Sequence, residues 1–209
     1  MSITANLQQI KEIIGPQIKL IGVTKNRTPL EVNQAIQAGL SYIGENRVQE
    51  AQKKFPLLDP TKEKHLIGHL QSNKAKQAVE LFDVIQSVDS FKLAKKLSDE
   101  CSKQRKTLSI LLQVNIANEP QKFGFTAEDV LKKLPFIQTL PHLTVDGLMA
   151  IVPYEKNSEN TRPYFQSLRE LKEQLKLKEL SIGMSHDYKI AVQEGATMVR
   201  IGRSIFDPV

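Results

Sequence analysis

The feature that most constrains the fold of this chain is a regular alternation of short apolar runs with longer amphipathic ones. Several of the short runs are almost continuously apolar, as expected for parallel strands that are buried on both faces. Eight of them are found, at residues 18–24, 42–45, 65–70, 84–88, 108–116, 143–151, 180–185 and 197–202. Strand–helix alternation repeated eight times predicts an α/β protein built as one (β/α)8 TIM barrel. An open, doubly wound sheet is the alternative architecture.

The segments between these runs carry the signals of helix ends. Residues Thr28–Glu31 combine a hydroxyl N-cap, a proline at the first helical position and a carboxylate at the third, which is a capping box. Gly39 and Gly195 lie where a helix would end in a left-handed residue. An extra N-terminal helix is predicted before the first strand, ending near Gly15. No linker divides the chain, so we expect a single domain over residues 1–209.

Composition narrows the class of protein. The chain is 40% hydrophobic and 25% charged, and no run approaches the roughly 18 apolar residues needed to cross a bilayer. Its N-terminus alternates apolar and polar residues, unlike a signal peptide. The single cysteine, Cys101, cannot form an internal disulfide, which fits a reducing cytosol and predicts a cytoplasmic protein. No long apolar surface stripe is evident, so a monomer without membrane contact is expected.

The net charge of +6 and the pI near 9.3 would attract phosphate groups, including those of nucleic acid. However, the basic residues are interleaved with acidic ones, as on solvated helix faces. Aromatic residues are 6% of the chain and tryptophan is missing, so bases would find few side chains to stack on. These observations argue against nucleic-acid binding as the main function.

In a barrel of this kind the functional residues lie after the carboxyl ends of the strands. Lys25 directly follows the apolar run LIGVT. A lysine at the end of a buried strand is expected to be partly desolvated, which favours the neutral amine that attacks an aldehyde. The alternative is a lysine that simply emerges into solvent. Other polar candidates in these positions are residues 45–47, His69, residues 71–73, Asn115, Ser185, Arg200 and residues 202–204.

The last two strand ends point to a phosphate. The segments GMSHD (183–187) and RIGRSIF (200–206) supply small residues, hydroxyls and positive charge where such barrels bind phosphate. Alternatively, Gly183 and Gly202 only make tight turns. A reactive lysine and a phosphate cradle on opposite sides of one mouth would suit a phosphorylated aldehyde. The four histidines have no metal-ligand spacing, and His69 is either directed into the mouth or packed.

Six segments together resemble one family. These are GVTKNRTP, YIGENRVQEAQKK, HLIGHLQSNKAK, LLQVNIANEPQKFGF, VDGLMAI and LSIGMSHDYKIAVQEGATMVRIGRSIF. They resemble the YggS/PROSC family of pyridoxal phosphate homeostasis proteins, which is related to the barrel of alanine racemase. The resemblance covers nearly the whole chain, and the first three motifs are highly specific.

The resemblance implies that pyridoxal 5'-phosphate is held as a Schiff base on Lys25. Arg200 would face the pyridine nitrogen. The other cofactor-binding residues would be Ser185, Gly202, Arg203 and Ser204 at the phosphate, with Asn46 and Met149 along the ring. The chain departs from the family pattern at His186, usually acidic, and at Arg203, commonly small or threonine. Backbone contacts to the phosphate therefore carry over better than side-chain contacts.

The same resemblance implies a cofactor carrier or regulator without robust turnover. An arginine beside the pyridine nitrogen disfavours its protonation and so weakens the ring as an electron sink. Racemases of this architecture take a second base from another domain, which we do not expect here because the sequence stops after the eighth strand. Apo forms of pyridoxal-phosphate enzymes are candidate partners. The alternatives are a pyridoxal-phosphate racemase or lyase, a Schiff-base aldolase, or a phosphate-binding regulator of nucleic acid.

Overall fold

The computed structural model describes residues 2–59 and 63–207. This part of the chain contains eight strands, all parallel to their neighbours. They are β1 (Lys19–Val23), β2 (Tyr42–Glu45), β3 (Glu63–Leu66), β4 (Val84–Val88), β5 (Leu108–Gln113), β6 (Leu143–Met149), β7 (Glu179–Ser181) and β8 (Met198–Ile201). They pair in chain order, and β8 pairs with β1, so the sheet closes. The predicted TIM barrel is confirmed, and the open doubly wound sheet is wrong.

Nine α-helices lie in the same described residues. They are α1 (Ile3–Ile14), α2 (Pro29–Gln37), α3 (Val48–Lys54), α4 (Ala75–Leu81), α5 (Phe91–Gln104), α6 (Ala127–Gln138), α7 (Arg162–Gln174), α8 (Tyr188–Gln193) and α9 (Arg203–Phe206). One helix follows each strand, and α1 is the predicted extra N-terminal helix. It packs against α2, α8 and α9, and the Asn6 side chain donates to the Ile205 carbonyl at 3.1 Å. The predicted domain limits at Met1 and Val209 lie outside the described residues.

Four of the helices have a hydroxyl side chain as N-cap. Ser2, Thr28, Ser90 and Thr126 each accept a hydrogen bond from the backbone N–H three residues later. The Thr28 cap is the predicted capping box, because the Glu31 carboxylate also accepts from the Thr28 N–H at 2.8 Å. Such a cap stabilises a helix by about 1 kcal/mol. At the other helix ends, Gly39 and Gly195 have φ of +93° and +86°, as their sequence positions predict.

Two strands, β3 and β7, end four residues earlier than their apolar runs, which is the largest such difference among the eight. β3 was expected over 65–70 and spans Glu63–Leu66, while β7 was expected over 180–185 and spans Glu179–Ser181. Ile67 and Ile182 lie beyond these ends and are still buried. An apolar run indicates buried residues, and burial continues into the first residues of the loops. A strand, in contrast, ends where its hydrogen bonds to the neighbouring strands stop. The residues released in this way form the mouth of the barrel.

The barrel has an inner and an outer apolar layer. Inside it, Ile21, Leu111, Met149 and Met198 form one buried cluster, with Tyr42 packed against it. The larger core lies between the strands and the surrounding helices. Because side chains alternate along a strand, Ile21 and Met198 identify the inward face of β1 and β8. Among the described helices, none combines the length and apolar character needed to span a membrane.

We expect the thiol of Cys101 to be unreactive in the folded protein. Cys101 lies on α5, is fully buried, and burial raises the pKa of its thiol to about 11. With the pKa of the thiol at about 11, roughly a hundredfold less thiolate is present near pH 8 than in an ordinary cysteine. Titration with an aromatic disulfide reagent should find no fast-reacting thiol in the native protein and one after denaturation. Rapid labelling of the native protein would contradict the burial of this side chain.

Candidate functional site

A cavity of about 220 Å³ opens at the mouth of the barrel, beyond the carboxyl ends of β1, β6, β7 and β8. Closure of the sheet places β8 beside β1, so residues from the two ends of the sequence meet at this cavity. The lining residues are Val23, Lys25, residues 152–155, residues 184–187, Arg200, Gly202 and Arg203. The reactive lysine and the phosphate loops were expected on opposite sides of the mouth. This expectation is wrong, because β8 lies beside β1, and Lys25 and the loops after β7 and β8 line the same small cavity.

Lys25 lies at the edge of this cavity. It follows Ile21 and Val23 on the inward face of β1, two residues beyond the last residue of the strand. Its side chain is exposed, so the partial desolvation expected from the sequence is not found. The neighbouring loop is anchored, because Arg27 pairs with Asp207 and lies 5.4 Å from the ring centre of Phe206. Lys25 thus projects from a fixed loop.

Arg200 forms the floor of the cavity. Its side chain is 3% exposed and donates three hydrogen bonds: to the Ser181 carbonyl and hydroxyl, both at 2.7 Å, and to the Ala150 carbonyl at 2.8 Å. Burial lowers the pKa of Arg200 to about 10, with the carboxylate of Asp187 acting in the opposite direction. The guanidinium therefore remains charged near neutral pH, and its orientation is fixed by three acceptors.

The loops after β7 and β8 form the wall next to α9. The Ser185 hydroxyl accepts a long hydrogen bond, 3.4 Å, from the Ser204 N–H in the first turn of α9. N–H groups in a first helical turn have no partner within the helix. Gly183 has a φ of +87°, which explains a glycine there by conformation alone. The φ of Gly202 does not require a glycine, but a Cβ at this position would lie 3.3 Å from the Val23 carbonyl oxygen.

Three predicted cofactor residues, Met149, Asn46 and Ser204, do not line the cavity. Met149 is fully buried in the barrel interior, inside the cluster of Ile21, Leu111 and Met198. Asn46, which follows β2, lines a separate cleft of about 430 Å³, and its Oδ1 is buried without a hydrogen-bond partner among the described residues. The structure therefore groups Lys25, Ser185, Arg200, Gly202 and Arg203 in one cavity, with Ser204 bonded to its wall.

Sequence reasoning missed the contribution of the loop between β6 and α7. Tyr154 and Glu155 line the cavity and contact His186, whose Nε2 lies 2.8 Å from the Glu155 carbonyl oxygen. The rings of Tyr154 and His186 are 5.0 Å apart. This loop follows a barrel strand, which was the available signal. His186, where the sequence departs from the family pattern, thus holds a neighbouring loop with its side chain.

His69, left open by the sequence, lies in the neighbouring cleft and is held on two sides. Its Nδ1 is 3.0 Å from a carboxylate oxygen of Asp89, and its ring stacks on Phe123 at 3.7 Å. Across residues 2–59 and 63–207, no three His, Cys, Asp or Glu side chains are grouped so that they could hold a metal ion.

Known proteins resemble this chain in sequence and in fold. Residues 1–207 match the family model described as alanine racemase, N-terminal domain. The chain belongs to this family. It is also 40% identical to the pyridoxal phosphate homeostasis protein of Aquifex aeolicus over 195 residues, which cover 90% of this chain and 86% of the relative. The protein of that name from Escherichia coli is 34% identical, covering 98% and 95% of the two chains. The resemblance predicted from the motifs is confirmed.

Solved structures of related proteins have the same fold. PipY of Synechococcus elongatus, in a structure with pyridoxal phosphate bound, superimposes with a TM-score of 0.92 at 36% identity, over 98% of this chain and 100% of that one. An alanine racemase of Clostridium difficile gives a TM-score of 0.82 at 15% identity, over 100% of this chain and 60% of that one. The second likeness supports the fold alone.

Proposed function

We propose that this chain binds pyridoxal 5'-phosphate and acts in the homeostasis of that cofactor. The observation that carries the proposal is the meeting of Lys25, the buried Arg200 and the loops after β7 and β8 around one small cavity. The cofactor combines an aldehyde, an aromatic ring and a phosphate, and each has a chemically suited partner here. At about 220 Å³ the cavity is below the roughly 300–1,000 Å³ usual for drug-sized ligands, as suits a small ring compound.

Each residue has a separate task in this proposal. Lys25 supplies the amine for a Schiff base with the cofactor's aldehyde, and Arg200 presents fixed N–H groups to the ring nitrogen. The hydroxyl of Ser185, the backbone at Gly202 and the first turn of α9 with Arg203 and Ser204 hold the phosphate. Asn46 and Met149 remain predicted neighbours of the ring, and both lie outside the cavity.

We further propose a carrier or regulator in place of an enzyme, with the whole chain acting as one domain. When bound, the cofactor supplies an electron-withdrawing ring, and a charged arginine at its nitrogen limits that capacity. Racemisation requires an acid–base group on each face of the substrate. The cavity offers Lys25 on one side. Tyr154, Glu155 and His186 line the same cavity, but the Nε2 of His186 is engaged by the Glu155 carbonyl oxygen at 2.8 Å, and we propose that none of the three serves as the second acid–base group.

We propose that this chain acts in the cytosol as a monomer that yields its cofactor to apo-enzymes. The cavity is open at the mouth, and Lys25 is exposed. Free amines or a recipient protein can therefore reach the bond to be exchanged. A pyridoxal-phosphate racemase or lyase remains the second candidate, on the strength of the shared fold.

The test of this proposal is steady-state turnover of a panel of amino acids by protein loaded with pyridoxal 5'-phosphate. We expect no racemase, transaminase or decarboxylase turnover, together with slow transfer of the cofactor to an apo-enzyme. Turnover at roughly one per second or faster that disappears in Lys25→Ala would establish an enzyme and overturn the carrier assignment.

A further inference from the structure

A buried ion pair lies directly under the loop that carries Lys25. The Lys54 ammonium is 2.6 Å from Oε1 of Glu45, and these side chains are 10% and 0% exposed. The same ammonium donates to the Thr24 carbonyl at 2.6 Å, and the Thr24 hydroxyl donates to Oε1 of Glu45 at 2.7 Å. Lys54 comes from the end of α3 and Glu45 from the end of β2. Both elements therefore converge on the residue that precedes Lys25.

The Thr24 carbonyl also closes the turn in which Lys25 lies. It accepts a hydrogen bond from the Arg27 N–H at 3.1 Å, so residues 24–27 form a β-turn with Lys25 as its second residue. The third residue, Asn26, has a φ of +59°, a positive value as in type II turns, where glycine or asparagine is favoured. The direction of the Thr24 carbonyl therefore decides the direction in which the Lys25 side chain leaves the backbone.

Stability alone does not explain this ion pair. Two charges removed from water often stabilise a fold no more than two apolar side chains of the same volume. Moreover, Oε2 of Glu45 is buried without a hydrogen-bond partner among the described residues, so the carboxylate depends on Lys54 and Thr24. What an apolar pair could not provide is the charged donor to the Thr24 carbonyl.

We propose that Glu45 and Lys54 are positioning residues that hold the turn at residues 24–27 so that Lys25 is directed into the cofactor cavity. The inference rests on the proposed function, because it assigns these residues to the attachment of pyridoxal 5'-phosphate. Lys54 donates to the Thr24 carbonyl, and Glu45 pairs with Lys54. The Thr24 hydroxyl in turn donates to Glu45. On the other side of Lys25, the ion pair of Arg27 with Asp207 anchors the end of the turn.

The decisive experiment compares two ligands in the Lys54→Met variant. Pyridoxal 5'-phosphate requires Lys25, whereas 4'-deoxypyridoxine 5'-phosphate lacks the aldehyde and uses only the ring and phosphate contacts. We expect the dissociation constant of the aldehyde ligand to rise about tenfold or more, since small misplacement of a reacting group has a large effect. The dissociation constant of the deoxy ligand should stay within about twofold of wild type. An equal loss for both ligands would show general distortion and overturn the proposal.

A matched control is available at the other end of the same strand. Lys19 begins β1 and pairs with Glu179 at 2.7 Å, with side chains 35% and 19% exposed. Lys19→Met removes a partly buried ion pair from the amino end of the barrel, away from the mouth. It should leave the dissociation constants of both ligands unchanged. If it weakens the aldehyde ligand as much as Lys54→Met does, the effect is not one of positioning and the proposal fails.

A double variant separates loss of positioning from loss of folding. Lys54→Met alone leaves the Glu45 carboxylate buried without a cation, so the variant could unfold. Glu45→Met with Lys54→Met removes both charges and should recover the melting temperature, yet the aldehyde ligand should still bind about tenfold more weakly. Wild-type affinity in the double variant would overturn the proposal. Borohydride reduction of the wild-type protein that labels a lysine other than Lys25 would instead refute Lys25 as the attachment residue assumed in the proposed function.

Discussion

Lys25→Ala is expected to abolish covalent attachment of pyridoxal 5'-phosphate while leaving the fold intact. The lysine supplies the only amine that lines the cavity among the described residues. Its side chain is exposed and contributes little packing, so the free energy of unfolding should change by less than about 0.5 kcal/mol. The measurement is borohydride reduction of the loaded protein followed by peptide mapping, alongside a thermal unfolding curve.

Lys53→Ala is the matched control for this variant. Lys53 is also exposed but lies on α3, and the Lys53→Ala variant should keep both the label on Lys25 and the stability of the wild type. A Lys25→Ala protein that is still reduced to a stable adduct at one other lysine would refute Lys25 as the attachment residue. The Lys132–Lys133 pair on α6 would then be the first peptide to inspect, although both lysines already pair with carboxylates, Glu128 and Asp129.

Pyridoxal without its phosphate is expected to bind about a hundredfold more weakly than pyridoxal 5'-phosphate, or worse. Hydrogen bonds to a charged group contribute roughly 1.5–3 kcal/mol each, and each 1.4 kcal/mol is a factor of ten in affinity. The cavity wall offers the Ser185 hydroxyl and the first-turn N–H groups of α9, with Arg203 at its edge. Two such contacts account for the expected difference.

Equilibrium titration with both compounds measures this ratio directly, and rising ionic strength should reduce it because exposed charges are screened. Ser185→Ala should lower the affinity for the phosphorylated compound only, since we assign this hydroxyl to the phosphate. Equal affinities for the two compounds would show that the loops after β7 and β8 do not hold a phosphate. The assignment of Ser185, Gly202, Arg203 and Ser204 would then be wrong.

Much of the fold is determined by local patterns. The eight strands were all found, since continuous Val, Ile and Leu runs fit strands covered on both faces. The Thr28 capping box and the left-handed glycines 39 and 195 were also correct, because these signals act within a few residues. Strand ends were less accurate, as at β3 and β7, because hydrophobicity continues past the last ladder hydrogen bond. The contribution of Tyr154 and Glu155 was missed for a related reason: a loop has no periodic signal.

The sequence by itself determined the alternation that makes a barrel, and it placed Lys25 and Arg200 at the carboxyl ends of strands. Only the tertiary structure decided which strand ends are neighbours. Closure puts β8 against β1, so residues from opposite ends of the chain share one cavity, and Asn46 falls in the next one. It also decided that Lys54 contacts the Thr24 carbonyl and that Arg200 is buried against Ser181 and Ala150. Patterns along a chain reflect local backbone preference and burial, whereas these contacts depend on the register and closure of the whole sheet.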